Sequence, residues 1–267
     1  MAGPDKISGK WDAAGDSWSD FLDKGKDYFR DEMNKPAFLA VVGDVKGRRI
    51  LDIGCGEGNF PRLYAKMGAE VVGVDFSPKM IELARQAEKR EKQGIEYVVS
   101  DAARLEGVRG KFDAVTCFMA LMDIERYRDA IREAANILND RGRFIFCITH
   151  PCFEYGKCLD REPLAKWVHV EEDKSGDAGH LEVTDYFQPG VSEVIWDMER
   201  LVKPFKTTSF HRTLTDYFDA LADGGFVVSR LVEAKPTQSG VSKYPSLRKH
   251  AKIPHSITIE ARKISID

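Results

Sequence analysis

Three glycines follow a short hydrophobic strand in the segment RILDIGCGEGNF, residues 49–60. Gly54, Gly56 and Gly58 are spaced two residues apart, and Asp52 comes two residues before the first of them. Glycine allows the backbone to pass close to a ligand and to adopt positive φ. The N-terminus of a helix behind such a turn can receive an anionic group. The pattern therefore predicts a nucleotide-like ligand at the carboxyl end of this strand.

The glycine spacing also indicates which ligand to expect. The dinucleotide fingerprint is G-x-G-x-x-G, but here Asn59 stands at the last position and the third glycine comes one residue earlier. A carboxylate at Asp52 would repel a pyrophosphate, whereas it would order the loop or lie near a cationic amino group. Both differences favour S-adenosylmethionine, which carries an ammonium and a sulfonium and no phosphate.

An alternation of strands and helices positions this turn. Residues 10–33 are helical in pattern, and β-branched runs then alternate with amphipathic helices up to residue 149. The predicted strands are 48–53, 70–74, 95–99, 112–118 and 143–149, and the predicted helices begin near residue 59 and span 78–92 and 127–139. Such an alternation is typical of a parallel sheet with helices on both faces.

The rest of the chain is predicted to interrupt and then complete the sheet. Residues 151–206 are polar and turn-rich, and we expect an insertion of short strands there. A helix at 214–221 and strands at 226–232 and 256–261 follow, and prolines and glycines between those strands argue against a helix in the gap. The predicted fold is α/β, with a doubly wound, mostly parallel seven-stranded sheet whose last strand is antiparallel.

Four motifs in this order resemble class I (Rossmann-like) S-adenosylmethionine-dependent methyltransferases of the small-molecule type. LDIGCGEG at 51–58 resembles the first motif of that family, and VVGVDFSPKM at 71–80 resembles the second. SDA at 100–102 and FDAVTCFM at 112–119 resemble the third and fourth. The resemblance covers roughly residues 48–150 and implies methyl transfer from S-adenosylmethionine, with S-adenosylhomocysteine as the product.

The resemblance also implies roles for particular residues. Asp75 would hold the ribose hydroxyls, since a carboxylate can accept hydrogen bonds from both, and Asp101 with the backbone of Ala102 would address the adenine. Arg30 lies in a segment that resembles one in which an arginine meets the methionine carboxylate. The cofactor-binding residues predicted in this way are Trp18, Arg30, Asp52, Gly54, Gly56, Gly58, Asp75, Phe76, Asp101, Ala102 and Phe118.

The acceptor is expected beyond the ends of the fourth and fifth strands. His150 opens an HPCF segment that resembles one in a group of small-molecule methyltransferases, and His211 stands where the chain returns from the insertion. Either histidine is a catalytic base or hydrogen-bond donor, or else it only fixes the local backbone. The predicted acceptor pocket contains Met119, Met122, Tyr155, Tyr186 and Trp196.

This interpretation divides the chain into three parts. Residues 1–45 would form an N-terminal helical lid, 46–150 with 207–267 the cofactor-binding core, and 151–206 a cap over the acceptor. No metal is expected, because the segment after the fourth strand offers a single acid, Asp123, and no C-x-x-C pair is present. The acceptor is predicted to be a small, cyclic or aromatic metabolite methylated on oxygen or nitrogen by in-line displacement.

Composition limits the partners. The net charge of −3 makes nucleic acid an improbable partner, and the basic run at 243–250 is expected to be solvated surface. No segment is predicted to cross a membrane, and the cysteines are expected to be reduced thiols of a cytoplasmic monomer or homodimer. Three alternatives stay open at this point: carbon methylation of a quinone-like ring, a nicotinamide-dependent reductase, and a cofactor-binding module without catalysis.

Overall fold

The structure is a computed structural model that describes residues 4–154, 164–169, 179–196 and 201–264. Its helices are α1 (Pro4–Asp23), α2 (Lys35–Val42), α3 (Asn59–Lys66), α4 (Pro78–Glu91), α5 (Tyr127–Ile137), α6 (Leu214–Asp223) and α7 (Gln238–Lys243). A π-helical segment spans Arg30–Asn34, and short 3-10 segments span Leu121–Asp123 and Pro245–Ala251.

Eleven strands are seen in the described residues. They are β1 (Arg49–Ile53), β2 (Glu70–Asp75), β3 (Glu96–Val99), β4 (Phe112–Phe118), β5 (Leu138–Thr149), β6 (Ala165–His169), β7 (Gly179–Val183), β8 (Gly190–Trp196), β9 (Phe205–His211), β10 (Phe226–Glu233) and β11 (Ser256–Lys263). Seven of them form one sheet in the order β10-β11-β5-β4-β1-β2-β3. The last strand, β11, is antiparallel to both of its neighbours, and the predicted fold class is confirmed.

Both faces of the sheet are buried, which explains why its strands read as continuous apolar runs. Along β1, Leu51 and Ile53 pack into the layer that contains α5 and α6. Ile50 points the other way, into the layer that contains α2, α3 and α4. The strand order reverses between β4 and β1, and ligands of open α/β sheets bind at such a point. The glycine turn after β1 therefore lies at the expected binding edge.

The prediction of no helix between the last two strands is wrong. The structure places α7 and the 3-10 segment Pro245–Ala251 there. Thr237 caps α7 by accepting a hydrogen bond from the Gly240 backbone N–H at 2.9 Å, and Pro245 occupies the first turn of the 3-10 segment, where a missing N–H costs nothing. Pro245 thus starts a short helical segment, and Pro236 precedes the cap of α7, so neither proline excludes a helix.

Two antiparallel strand pairs belong to the region between β5 and α6. Strand β6 pairs with β7, and β8 pairs with β9. Helix α1 lies between the second pair and the core: Asp12 accepts hydrogen bonds from the Ser77 hydroxyl at 2.6 Å and the Lys79 backbone at 3.1 Å. Further along the helix, the Ser17 hydroxyl donates to the Lys203 carbonyl at 2.9 Å. No helix of the described chain is long and apolar enough to cross a membrane.

Candidate functional site

A cavity of about 780 Å³ opens at the carboxyl ends of the parallel strands, between the sheet, α1 and the β8–β9 pair. Ten of the eleven predicted cofactor-binding residues line it: Trp18, Arg30, Asp52, Gly54, Gly56, Asp75, Phe76, Asp101, Ala102 and Phe118. Gly58 is not among the described lining residues. It precedes α3 with φ +88°, and a Cβ there would lie 2.4 Å from the Tyr97 hydroxyl.

The glycine turn leaves its backbone open to the cavity. Gly54 and Gly56 have φ values of +67° and +55°, which residues with a side chain rarely adopt. A Cβ on Gly54 would come within 2.5 Å of the Ala120 Cβ, whereas a Cβ on Gly56 would meet no atom within 4 Å. Gly54 is therefore required by protein packing, and Gly56 keeps a surface of the cavity free of side chains.

Asp75 is fixed at the end of β2 by two backbone N–H groups. One carboxylate oxygen accepts from Gly56 and the other from Ser77, each at 2.9 Å. Burial raises the pKa of this carboxyl to about 6, although the backbone hydrogen bonds oppose the shift. Each oxygen keeps a further lone pair for a ligand hydroxyl, so the geometry suits the predicted ribose contact.

Asp52 is buried at the other side of the turn. The Thr116 hydroxyl donates a hydrogen bond of 2.6 Å to its Oδ1 atom. Burial raises the pKa of the Asp52 carboxyl to about 7, Thr116 opposes the shift, and the neighbouring Asp75 adds to it. A carboxyl in this state would be stabilised as the anion by a cation placed in the cavity, and the ammonium of S-adenosylmethionine is such a group.

Arg30 begins the π-helical segment, a form of helix frequent at functional sites. Its side chain is 9% exposed, and Nε donates to Asp31 at 3.0 Å. Its buried Nη1 atom has no hydrogen-bond partner in the described part of the chain. A buried guanidinium nitrogen without a partner on a cavity wall fits an anionic ligand group, and the methionine carboxylate supplies one.

At the adenine end, Asp101 is already held by protein groups. It accepts from the Ala103 backbone at 2.8 Å and from the Arg126 guanidinium at 2.8 Å. Arg126 also lines the cavity; it follows the fourth motif by several residues, and nothing in the sequence pattern singled it out. The hydroxyl of Ser100, on the same wall, is buried and has no described partner.

Aromatic and sulfur-containing side chains also line the cavity. The rings of Trp18 and Trp196 meet edge to face at 5.3 Å, and Trp196 stacks on Phe205 at 5.7 Å. Met119 and Met122 are lining residues as well. Of the other predicted acceptor residues, Tyr155 lies outside the described residues. Tyr186 is not among the described lining residues, and its hydroxyl accepts from the Leu214 backbone at 2.8 Å.

His150 is not among the described residues that line the cavity. Its Nδ1 accepts from the Cys152 backbone at 3.2 Å, and Nε2 lies 3.2 Å from a Glu233 carboxylate oxygen. The ring also packs against Phe153. With both nitrogens engaged, the histidine holds the turn after β5. The geometry thus favours the alternative that His150 fixes the strand end.

His211 stands behind the wall rather than in it. Its Nδ1 is 3.3 Å from the Glu154 carboxylate, and its Nε2 is 2.8 Å from the Tyr186 carbonyl oxygen. Glu154 itself lines the cavity, as does Asp123. Burial raises the pKa of Asp123 well above its usual range, the Glu154 carboxylate adds to this, and the Arg212 guanidinium opposes it.

Several lining residues were missed because their sequence signals are weak. Glu154 follows the HPCF segment without any motif of its own, and Asp123 was weighed only as a metal ligand. Lys249 was assigned to solvated surface with the run 243–250, yet it lines the cavity, and the neighbouring Leu247 and His250 are buried. That prediction is wrong because the 3-10 segment turns one of its faces inward.

No group of three or more metal-ligating side chains that could hold an ion occurs in the described residues.

The comparisons with known proteins agree with a methyl-donor site. Residues 51–146 match the model of a methyltransferase domain family. A demethylmenaquinone methyltransferase from Renibacterium salmoninarum is 32% identical over 114 residues, which are 42% of this chain and 46% of that protein.

Two further comparisons extend this result. A ubiquinone biosynthesis O-methyltransferase from Coxiella burnetii is 31% identical over 102 residues, 38% of this chain and 44% of that protein. The chain thus spans less than half the length of these two relatives. The crystal structure of an S-adenosylmethionine-dependent methyltransferase from Mesorhizobium loti is 27% identical, covers 85% of this chain and 96% of its own, and aligns with a TM-score of 0.69.

The matched segment contains the glycine turn, Asp75 and Asp101, and the cavity carries Arg30 and Asp52, which suit the carboxylate and the ammonium of S-adenosylmethionine. The prediction that S-adenosylmethionine is the methyl donor is confirmed. Residues 51–146 therefore match a methyltransferase domain, and the fold is similar to that of an S-adenosylmethionine-dependent methyltransferase.

Proposed function

We propose that this protein transfers a methyl group from S-adenosylmethionine to an oxygen or nitrogen atom of a small cyclic or aromatic metabolite. One observation carries the proposal. A single cavity of about 780 Å³ is lined by the cofactor-motif residues and also by aromatic side chains and two carboxyl groups, those of Asp123 and Glu154. That volume lies in the range of small-molecule sites. A donor and a flat acceptor can therefore share one enclosed space.

The residues of the chain mainly have to align the two reactants. The sulfonium supplies an electrophilic methyl group whose bonding electron pair leaves with the sulfur. Arg30, Asp52 and Asp75 would hold the carboxylate, the ammonium and the ribose, and so fix where that methyl group points. Trp18 and Trp196 would hold an aromatic acceptor on the far side of it. Positioning of this kind can supply much of the rate of a two-substrate reaction.

We further propose that α1 acts as a lid and that the β6–β9 region acts as a cap. Lys10 on α1 forms an ion pair with Glu193 on β8 and donates to the Thr208 hydroxyl on β9 at 2.9 Å. The lid and the cap thus hold each other over the cavity. Enclosure excludes water from the reacting atoms, and it selects acceptors by size and shape.

Calorimetry and product analysis test the proposal. The protein is expected to bind S-adenosylmethionine and S-adenosylhomocysteine and to show no heat with NADH, since Asp52 and the G-x-G-x-G spacing disfavour a pyrophosphate. Incubation with ¹³C-methyl-labelled S-adenosylmethionine and a panel of phenols, anilines and quinols should yield a labelled methyl ether or methylamine. NADH binding without a response to the sulfonium compounds would contradict the proposal.

Carbon methylation of a quinone-like ring is the second possibility. It is favoured by the similarity to a demethylmenaquinone methyltransferase, and the same aromatic wall would hold a quinol. The ¹³C chemical shift of the transferred methyl group separates the outcomes, because methyl groups on oxygen, nitrogen and ring carbon resonate in distinct regions. Donor binding with no methylated product from any probe would favour a module without catalysis.

A further inference from the structure

The side chains of Glu154 and His211 are in contact, but they can form a hydrogen bond with each other only when the pair carries an additional proton. The Tyr186 carbonyl oxygen, 2.8 Å from His211 Nε2, can only accept a hydrogen bond, so Nε2 must carry a hydrogen. In a neutral imidazole the other nitrogen, Nδ1, then has a lone pair. It faces a carboxylate oxygen of Glu154 at 3.3 Å. Two acceptors meet there, and a hydrogen bond forms only when the pair takes up a proton.

The two residues differ in their access to the cavity. The side chain of His211 is 1% exposed, whereas that of Glu154 is 20% exposed, and Glu154 lines the cavity wall. Only the carboxylate can therefore meet an acceptor molecule. The Tyr186 carbonyl holds the His211 ring through Nε2. The ring in turn orients the Glu154 carboxylate through Nδ1.

The charged groups around the pair belong to several elements. Asp123 faces it from the 3-10 segment after β4, and Arg212 lies behind with its guanidinium bonded to backbone carbonyls, including that of Leu121 at 3.3 Å. Lys249 and His255 line the same wall. Burial lowers the pKa of His255 to about 4, Lys249 lowers it further, and Glu154 opposes this. Besides Glu154, the cavity lining therefore carries a second carboxyl group, that of Asp123, and the amino group of Lys249.

We propose that Glu154 is the catalytic residue that receives the proton lost by the acceptor, that His211 is its positioning residue, and that the acceptor presents a protonated hydroxyl or amine on a flat ring. This inference rests on the proposed function. The acceptor O–H or N–H bond breaks and its proton goes to the Glu154–His211 pair. The freed electron pair forms the bond to the methyl carbon, and the carbon–sulfur electron pair goes to sulfur.

The substitution Glu154→Gln isolates this role. The amide N–H₂ group of glutamine can donate to the neutral Nδ1 of His211, so the contact and the local fold are preserved while the proton acceptor is lost. Glu233→Gln is the matched control, because Glu233 also faces a histidine nitrogen at 3.2 Å but at the surface turn beside His150. Affinity for S-adenosylhomocysteine should stay within twofold in both variants.

The first readout needs no turnover. 4-Nitrophenol changes colour when it ionises, and it is added to the complex with S-adenosylhomocysteine at a pH where the free probe is mostly protonated. The wild-type protein and Glu233→Gln should bind it as the coloured phenolate, and Glu154→Gln should bind it as the phenol. The same colour in wild type and Glu154→Gln, or no colour change with the wild type, would overturn the proposal.

The second readout is methyl transfer from S-adenosylmethionine to phenol probes. Glu154→Gln should be at least about 100-fold slower with acceptors that are protonated in solution, the usual contribution of a general base. It should approach the wild-type rate with 4-nitrophenol at high pH, where the acceptor has already lost its proton. A merely structural role would slow both reactions equally.

The outcomes separate this inference from the proposed function. If wild type and Glu154→Gln methylate protonated phenols at equal rates, methyl transfer stands and the role of Glu154 is wrong. If nitrophenol ionises only in proteins that keep Glu154 but no phenol, aniline or quinol is methylated, the proton acceptor is supported and the proposed reaction is wrong.

Discussion

Asp52 and Thr116 stand side by side on neighbouring strands β1 and β4, and the Thr116 hydroxyl donates to the Asp52 carboxylate at 2.6 Å. The pair lies at the point where the strand order reverses, and it places a buried carboxyl beside the cavity. Because burial raises the pKa of Asp52 to about 7, the ionised form is costly in the ligand-free protein. A carboxyl group whose ionisation is unfavourable until a ligand binds is typical of a binding site.

We predict that Asp52→Asn stabilises the ligand-free protein above neutral pH. The folded pKa of about 7 exceeds the ordinary aspartate value of 3.8, so the wild type loses stability as the pH rises from about 4 to 7, because the Asp52 carboxyl ionises in the unfolded chain and stays protonated in the folded one. At about 1.4 kcal/mol per pKa unit the full effect is roughly 4 kcal/mol. Urea unfolding at pH 4 and pH 8 measures it.

At pH 4 the variant and the wild type should have nearly equal free energies of unfolding, and at pH 8 the variant should be the more stable. Thr116 can still donate to the asparagine carbonyl oxygen, so packing is a small part of the difference. Affinity for S-adenosylmethionine should fall at the same time, since the ammonium loses its partner. Equal pH profiles for the two proteins would show that Asp52 is not perturbed.

Arg30→Met should weaken S-adenosylhomocysteine binding by 10- to 100-fold, the equivalent of the roughly 1.5–3 kcal/mol of a hydrogen bond to a charged group. The physical reason is the guanidinium nitrogen that has no partner in the described residues. Calorimetry should also include 5′-methylthioadenosine, which lacks the amino and carboxylate groups. Its affinity should be the same for wild type and variant. An equal loss for both ligands would mean that Arg30 only supports the fold.

Asp75→Ala is expected to cost about 1–3 kcal/mol of affinity for S-adenosylhomocysteine, because it removes a buried acceptor of ligand hydroxyls. Comparison with 2′,3′-dideoxyadenosine analogues of the ligand in calorimetry shows whether the ribose hydroxyls are the partners. The variant should bind both forms equally, whereas the wild type should prefer the form with hydroxyls. A retained preference in the variant would place the ribose elsewhere.

Two glycine variants separate packing from ligand access. Gly54→Ala and Gly56→Ala both impose a left-handed backbone on alanine, at about 1–2 kcal/mol each. Only Gly54→Ala also creates a 2.5 Å contact, with Ala120, so it should be the less stable of the two in thermal unfolding. Gly56→Ala should keep most of its stability and lose cofactor affinity. Equal stabilities for the two variants would contradict this distinction.

The sequence predicted the donor half of the site far better than the acceptor half, and the physical reason is locality. Asp52 and Gly54 sit on one strand–turn unit, so their spacing along the chain determines their spacing in space. Glu154 and His211 come from the two ends of a long insertion, and they meet only because β9 returns to the core. No local pattern encodes that meeting.

Local sequence patterns also account for the errors in the predicted fold. The strand alternation predicted the order of elements, because each run is buried on both faces and must be apolar. The prediction for the segment between β10 and β11 is wrong because Pro245 stands in the first turn of a 3-10 segment and Pro236 lies before the cap of α7, and both places are compatible with a helix. Lys249 was assigned to the surface for its charge, although its long aliphatic stem can cover a cavity wall.

Two acids on α1, Asp12 and Asp16, contact α4 and the residue that caps it in different ways. Asp12 accepts from the Ser77 hydroxyl at 2.6 Å and from the Lys79 backbone at 3.1 Å, whereas Asp16 makes an exposed ion pair with Lys79. Asp12→Ala should loosen α1, because it leaves two donors of α4 without their acceptor. Asp16→Ala should change little, since exposed ion pairs contribute 0–1 kcal/mol.

Limited proteolysis and hydrogen exchange of α1 measure the difference between the two variants. Asp12→Ala should be cut within α1 several times faster than the wild type, and saturating S-adenosylhomocysteine should slow that cleavage if the cofactor lies beneath the helix. Asp16→Ala should follow the wild type with and without the ligand. Helix α1 also contacts β8 and β9 through Lys10. Loosening α1 should therefore also expose the part of the cavity that β8 and β9 cover. Amide exchange in β8 should rise in Asp12→Ala and stay unchanged in Asp16→Ala.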